Sequence, residues 1–151
     1  MVCTIAECPG YTEAHEDEAQ LRQKVLSQIM QLIAEGCTDF YMNSERGVPL
    51  LAAEAVCMLR QRAEIRLHLM IPHEEQCRNW TEYDRDRYYA VHALADTVTF
   101  VRTQFSPYCY QEADRRMAEQ SDVIVVFGSS EGLLQIEEFA QTHGLALRLV
   151  G

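Results

Sequence analysis

The 151 residues carry 13 lysines and arginines against 23 aspartates and glutamates, a formal charge of −10. With 48% hydrophobic and 24% charged residues, the composition is that of an ordinary globular domain, which excludes wholesale disorder. The longest apolar runs, Val123 to Phe127 among them, fall far short of the ~20 residues that cross a bilayer, and an acidic chain without a basic patch is a poor match for DNA or RNA. A chain of this length is expected to form one domain, residues 1–151, and to bury roughly two-thirds of its unfolded surface. Met1 to Glu7 has neither the basic start nor the long apolar stretch of a secretory leader, so a cytoplasmic location and no membrane partner are expected.

In chain order, Val2 to Ala6 reads as a short strand. Residues 15–36 read as a helix, because Leu21, Val25, Ile29 and Ile33 recur every fourth position before Gly36. The acidic group Glu13, Glu16, Asp17 and Glu18 suits its start. Cys37 to Met42 reads as the second strand, and Pro49 opens a helix that continues from Leu50 to Arg62. Ile65 to Ile71 is the third strand, ended by Pro72, with a helix over about 82–95 after it. Thr97 to Val101, a helix over about 110–120, Asp122 to Phe127, a helix over about 132–143 and Leu145 to Val150 complete the chain.

This alternation predicts a single Rossmann-like α/β domain with a mostly parallel six-stranded sheet and helices on both faces. Polar alternation in the third and sixth strands suggests edge positions, giving the expected order 3-2-1-4-5-6 with its switch between strands one and four. The six cysteines, at 3, 8, 37, 57, 77 and 109, include no C-x-x-C pair, and Cys3, Cys37 and Cys57 lie in apolar or element-boundary stretches where a free cysteine acts as a small hydrophobe. The histidines are equally scattered, and no metal is expected.

Ligands of such sheets sit beyond the carboxyl ends of the strands. Three segments are expected there: Cys8-Pro9-Gly10-Tyr11, Asn43-Ser44-Glu45-Arg46-Gly47-Val48-Pro49, and Gly128-Ser129-Ser130-Glu131-Gly132. The last two lead into helices, where glycines and free N–H groups suit a bound anion; tight turns with capping serines read equally well. Glu45 and Glu131 oppose a phosphate, while Arg46, Arg102, Arg115 or Arg116 would offset them. Cys8 would act as a nucleophile only with a base beside it. Trp80 with Tyr83, Tyr88 and Tyr89 suits either an aromatic lid or packing.

Several of these stretches resemble the YpsA-like (DUF1273) family of the SLOG superfamily, which also holds the DprA DNA-processing and Lonely Guy nucleotide-processing proteins. Asn43-Ser44-x-x-Gly47-x-x-x-x-Ala52-Ala53-Glu54 resembles the family's S-G-x-x-G-x-x-x-x-A-A-E signature, with Ser44 where the family prefers glycine. Gly10-Tyr11, the stretch from Ile71-Pro72 through Gln76 to Asn79-Trp80, and Arg115 to Asp122 match further family segments. The loop at Gly128 lacks the superfamily's threonine, and Glu137-Glu138 is displaced by one residue.

The resemblance implies a nucleotide or NAD-derived ligand. Its phosphate would rest on Asn43, Ser44, Arg46 and Gly47 and on Gly128, Ser129, Ser130 and Gly132, with Arg116 as a clamp. Its sugar would lie near Glu54, and its base near Gly10 and Tyr11. Three functions stay open: a sensor or regulatory module without strong catalysis, a nucleoside-5′-phosphate ribohydrolase using Glu54 or Glu137, and an interaction protein with a vestigial pocket that forms a homodimer.

Overall fold

The computed structural model describes residues 1–15, 17–129 and 134–151. Every expected strand and helix is present: β1 (Val2–Glu7), α1 (Glu18–Ala34), β2 (Asp39–Met42), α2 (Val48–Leu59), β3 (Arg66–His73), α3 (Glu82–Leu94), β4 (Thr97–Arg102), α4 (Cys109–Gln120), β5 (Val123–Phe127), α5 (Leu134–His143) and β6 (Ala146–Val150). Asp17 starts α1 by accepting from the N–H groups of Ala19 and Gln20, and Thr81 caps α3 through Asp84. Strand β3 does not stop before Pro72 but runs through it. Pairing with β2 has already ended at Met42–Leu69, so the missing proline N–H costs no bond on that side.

The six strands are parallel throughout, in the order β4-β3-β2-β1-β5-β6. The expected order 3-2-1-4-5-6 is therefore corrected: β4 lies at the edge beside β3, and β5 takes the place next to β1. The physical reason lies in two side chains. Arg66 and His68 gave β3 an edge-like alternation, yet Asp39 of β2 accepts from His68 Nε2 at 2.8 Å and sits 3.5 Å from Arg66. His68 Nδ1 also lies 2.7 Å from the Thr97 hydroxyl of β4, so an interior strand keeps its polar residues satisfied. Strand β4 is the more exposed of the two.

Helices α1, α2 and α3 pack on one face, and α4 and α5 on the other, because the chain reverses direction across the sheet after β4. The inner helix, α2, is apolar nearly all round (Leu50, Leu51, Ala52, Ala53 and Val56) and lies between the sheet, α1 and α3. On α1 the buried stripe is Leu21, Val25, Ile29 and Leu32, with Ile33 only partly covered. Each fully buried branched side chain of this kind contributes about 1.5–3 kcal/mol.

Cys3 of β1 and Cys37, just before β2, are joined by a disulfide with Cα atoms 6.4 Å apart, which corrects the reading of these two as free thiols. Sequence spacing gave no hint of it, since the two meet only once β1 and β2 pair. Cys8, Cys57, Cys77 and Cys109 are free. Among the described residues no helix is long and apolar enough to cross a membrane.

Glu54 joins three helices. Arg87 of α3 donates to both of its carboxylate oxygens, at 2.5 and 3.1 Å, and Arg22 of α1 lies 3.9 Å away. Arg87 also reaches Asp84 at 3.2 Å and Glu18 at 3.5 Å. A bidentate pair of this geometry on a half-buried carboxylate orients α3 against α2. Two outcomes follow. Glu54→Gln should cost about 1 kcal/mol in chemical denaturation while leaving any ligand-induced rise in melting temperature intact. Thiol titration of the denatured, unreduced protein should count four reactive cysteines, and six after reduction.

Candidate functional site

The end of β1 controls the chemistry at the switch point. Glu7 is its last residue, and its carboxyl turns toward the N-terminus of α2, where it accepts from the Val48 N–H, the Thr12 hydroxyl and the Thr12 N–H. A helix N-terminus attracts an anion, and here the protein supplies one from its own chain. Burial pushes the Glu7 carboxyl above its ordinary pKa; the hydrogen bonds from Thr12 and Val48 pull it back in part, and the nearby Glu13 adds to the rise.

Two glycines make this packing feasible. Gly47, the N-cap of α2, has φ 100°, and a Cβ there would strike Glu7 Oε1 and Thr12 Oγ1. Gly128, after β5, also has φ 100°, and a Cβ would strike Cys8 Sγ and the Tyr11 ring. The groups that approach these glycine backbones are thus the chain's own Glu7–Thr12 segment. Ser44, at the position where the resembling family prefers glycine, adopts the left-handed conformation at φ 61°. It is fully buried, and its hydroxyl finds no partner among the described residues.

Beside this segment opens a cleft of about 810 Å³. Its floor is the Glu7–Gly10 turn, one wall is the Asn43–Pro49 turn, and the other is the first turns of α4, with Ile136 of α5 beyond. Tyr110 and Asp114 stand four residues apart on α4, so both face the cavity. Four carboxyl side chains line it (Glu7, Glu13, Glu45 and Asp114) against one cation among the described residues, Arg46. Burial alone lifts the Asp114 carboxyl to about 7. These carboxyls do not converge, since no group of three or more His, Cys, Asp or Glu among the described residues is set to hold a metal. No histidine among the described residues lines the cleft with Cys8.

The Asn43–Gly47 turn is clamped from two sides. Gln76 Nε2 donates to the Asn43 carbonyl at 3.0 Å and to Glu45 Oε2 at 3.1 Å, and Tyr110 Oη donates to the same Glu45 oxygen at 2.5 Å. Burial, followed by the Glu45 charge, pushes the Tyr110 phenol well above its ordinary range, so it remains a donor. Asn43 Oδ1 accepts from the Glu45 N–H at 3.0 Å and tightens the turn itself. Arg46 lies 5.0 Å over the Trp80 ring. A second pocket, of about 540 Å³, opens on the far side of Glu45, Arg46 and Tyr110.

Of the residues singled out in the sequence, Gly10, Asn43, Arg46 and Gly47 meet around the cleft. Tyr11 packs beneath the turn instead, edge-on to Phe127 with ring centres 5.9 Å apart and 4.4 Å from His15. Glu54 is held by Arg87 between helices, and Arg116 pairs with Glu112 at 3.2 Å on the exposed side of α4. Arg102 and Arg115 are likewise paired, with Glu112 and Glu119. Ser129 is exposed beside Gly128. Ser130, Glu131 and Gly132 lie outside the described residues, as do Glu16 and the side chain of Glu137. Trp80 and Tyr88 are buried edge to face, while Tyr83 and Tyr89 are exposed, so the four aromatics do not act together as a lid.

Glu7, Thr12, Tyr110 and Asp114 escaped the sequence reading, and Gln76 entered it only as part of a family segment without a role. Glu7 was findable, as the one acidic residue at the carboxyl end of an apolar strand at the switch point. The α4 pair was not, because its place depends on where the chain recrosses the sheet.

A family model, YpsA, described as the YspA SLOG family, matches residues 7–142. A UPF0398 protein of Halalkalibacterium halodurans is 29% identical over 119 residues, covering 77% of this chain and 63% of its own. One of Shouchella clausii is 28% identical over 126 residues, covering 82% and 63%, so the chain spans under two-thirds of the length of these curated relatives. The X-ray structure of TM1055, a structural-genomics target, superposes with a TM-score of 0.59 over 97% of this chain and 71% of that one, at 16% identity, a likeness of fold. With 136 consecutive residues covered by the family model, on a sheet of the expected class, the chain belongs to the YpsA family of SLOG proteins.

Proposed function

We propose that the chain is the binding domain of a sensor or regulatory protein for a nucleotide-derived small molecule, in the cytoplasm and without strong catalysis. The observation that carries this reading is the cleft at the switch point, walled by the two turns that follow β1 and β2. Its chemistry refines the ligand's pose. Because Glu7 already fills the N-terminus of α2, that end of the cleft suits hydroxyl and N–H donors rather than phosphate. Glu7 and Asp114 are the acceptors for a sugar, and Arg46 is the cation nearest any anionic group. Gly10, Asn43 and Gly47 shape the walls rather than contribute charge.

A second reading, an N-glycosidic ribohydrolase that adds water across the base–sugar bond, is favoured by Asp114. A carboxyl poised at about 7 can take or give a proton at neutral pH. The two readings separate by assay. A sensor releases no free base from any nucleoside monophosphate, whereas an enzyme does so and loses the activity in Asp114→Asn.

Nucleosides and nucleotides, NAD and ADP-ribose among them, should raise the melting temperature, by the equivalent of about 2.7 kcal/mol at a hundredfold excess over Kd. Inorganic phosphate should leave it unmoved. A flat response to every nucleoside and nucleotide at millimolar concentration would overturn the reading.

Asp114 also predicts a pH dependence. Its carboxyl is raised from 3.8 to about 7, so the folded protein holds a proton that the unfolded chain has lost between those values. The stability it supports is complete below about 4 and is lost as pH rises through about 7. Asp114→Asn should match the parent protein at pH 4 and exceed it at pH 8, by about 1–2 kcal/mol. That figure is reduced from about 1.4 kcal/mol per pKa unit because the side chain keeps contact with water in the cleft. Parallel denaturation midpoints across this range would show that the carboxyl titrates normally.

A further inference from the structure

The second pocket, beyond Glu45, Arg46 and Tyr110, has a different character from the acidic cleft. His73 from the end of β3 and Gln76 from the turn after it line this pocket with Trp80 and Phe105. His73 is 8% exposed and Gln76 6%, and each buries a polar atom that finds no partner among the described residues: His73 Nδ1 and Gln76 Oε1. Buried polar atoms are almost always satisfied in a folded protein, so two unpaired ones on side chains that line one cavity mark places that a ligand would complete.

Their chemistry is defined. The Gln76 amide cannot be turned over, because its nitrogen sits between two acceptors, the Asn43 carbonyl and Glu45 Oε2. Its orphan is therefore an acceptor that needs an N–H from the ligand. His73 Nδ1 gives or takes according to tautomer. The surroundings are flat: the His73 ring stands edge-on to Phe105 at 5.5 Å and to Tyr110 at 6.2 Å, and Arg46 lies over Trp80. Guanidinium and aromatic planes of this kind stack on heterocycles.

We propose that this pocket is a subsite for a planar heterocycle bearing an N–H, the base of the ligand, whose donor edge meets Gln76 Oε1 and His73 Nδ1 while its face stacks against Arg46. The inference rests on the nucleotide-derived ligand proposed above. Since Arg46, Glu45 and Tyr110 line both cavities, a ligand would cross that wall with its sugar in the acidic cleft and its base beyond it.

Trp80 is the only tryptophan of the chain, so its emission reports on this pocket alone. Titration of the full chain with adenosine, guanosine, cytidine and uridine should give a saturable change in Trp80 fluorescence with at least one of them. Base-free ribose 5-phosphate should give none. For the nucleoside that binds, an analogue with its N–H groups methylated should bind about tenfold more weakly, the loss of one buried hydrogen bond. His73→Phe, which keeps a flat ring, should weaken the nucleoside similarly and leave ribose 5-phosphate unchanged by calorimetry. Nucleoside binding seen by calorimetry with silent Trp80 emission, or with full affinity for the methylated analogue, would overturn the subsite and leave the proposed function standing. Absence of binding by nucleosides and ribose 5-phosphate alike would overturn both.

Discussion

The lodging of the Glu7 carboxyl on the N-terminus of α2 organises this end of the molecule. A strand that ends on an acidic residue must place a charge somewhere, and the first N–H groups of α2 are the nearest donors that lack partners. The contact requires Gly47 to have no side chain, and it brings the Thr12 hydroxyl onto the same carboxylate. Strand β1, the turn after it and α2 are thereby fixed to one another, and the cleft is the space left between that block and α4. The electrostatic consequence is large for so small a feature. A helix terminus able to hold a phosphate is neutralised from within, and the cleft beside it becomes a surface of acceptors.

The glycine pattern gains a different meaning from this arrangement. Glycines in strand-to-helix turns are commonly read as room for a phosphate to reach the backbone. At Gly47 and Gly128 the space is taken by Glu7, Thr12, Cys8 and Tyr11. Ser44 carries the complementary lesson. The backbone there is left-handed, a conformation that costs a residue with a Cβ roughly 1 kcal/mol and costs glycine nothing. The turn retains that shape with serine because Gln76 and Tyr110 clamp its neighbours Asn43 and Glu45 from outside. A departure from the resembling family is thus absorbed by packing rather than by a new loop path.

Much of the fold was legible in the residues. Fourfold spacing marked α1, an all-apolar run marked β5, and alternating elements marked a parallel sheet; each reflects short-range physics that acts in any context. The failures share a cause. Strand order turned on Arg66 and His68, whose polarity suggested an edge until Asp39 and Thr97 from adjacent strands satisfied them. Pro72 looked like a strand end, but the neighbour that would have needed its N–H had already stopped. Glu54 was expected near a sugar, and its pair with Arg87, thirty-three residues on, was not foreseen. Each of these outcomes depends on a partner distant in sequence, which local pattern cannot reveal. The turns at Asn43 and Cys8 were placed at one rim because topology alone demands it.

The wall between the two cavities is where these themes combine. Glu45 would be an obstacle to any anionic ligand if its charge stood free, but Tyr110 and Gln76 both donate to one of its oxygens and hold the side chain in place. That commitment uses the amide nitrogen of Gln76 and so leaves its oxygen as an acceptor without a partner. It also leaves Arg46, 3.9 Å from the other Glu45 oxygen and above Trp80, as the cationic residue shared by both spaces. A single half-buried carboxylate thus sets the donor and acceptor character of the pocket beyond it, much as Glu7 sets that of the cleft. On the function proposed above, these two acidic residues would sort the parts of a nucleotide, with acceptors for the sugar on one side of the wall and a flat, acceptor-bearing pocket for the base on the other.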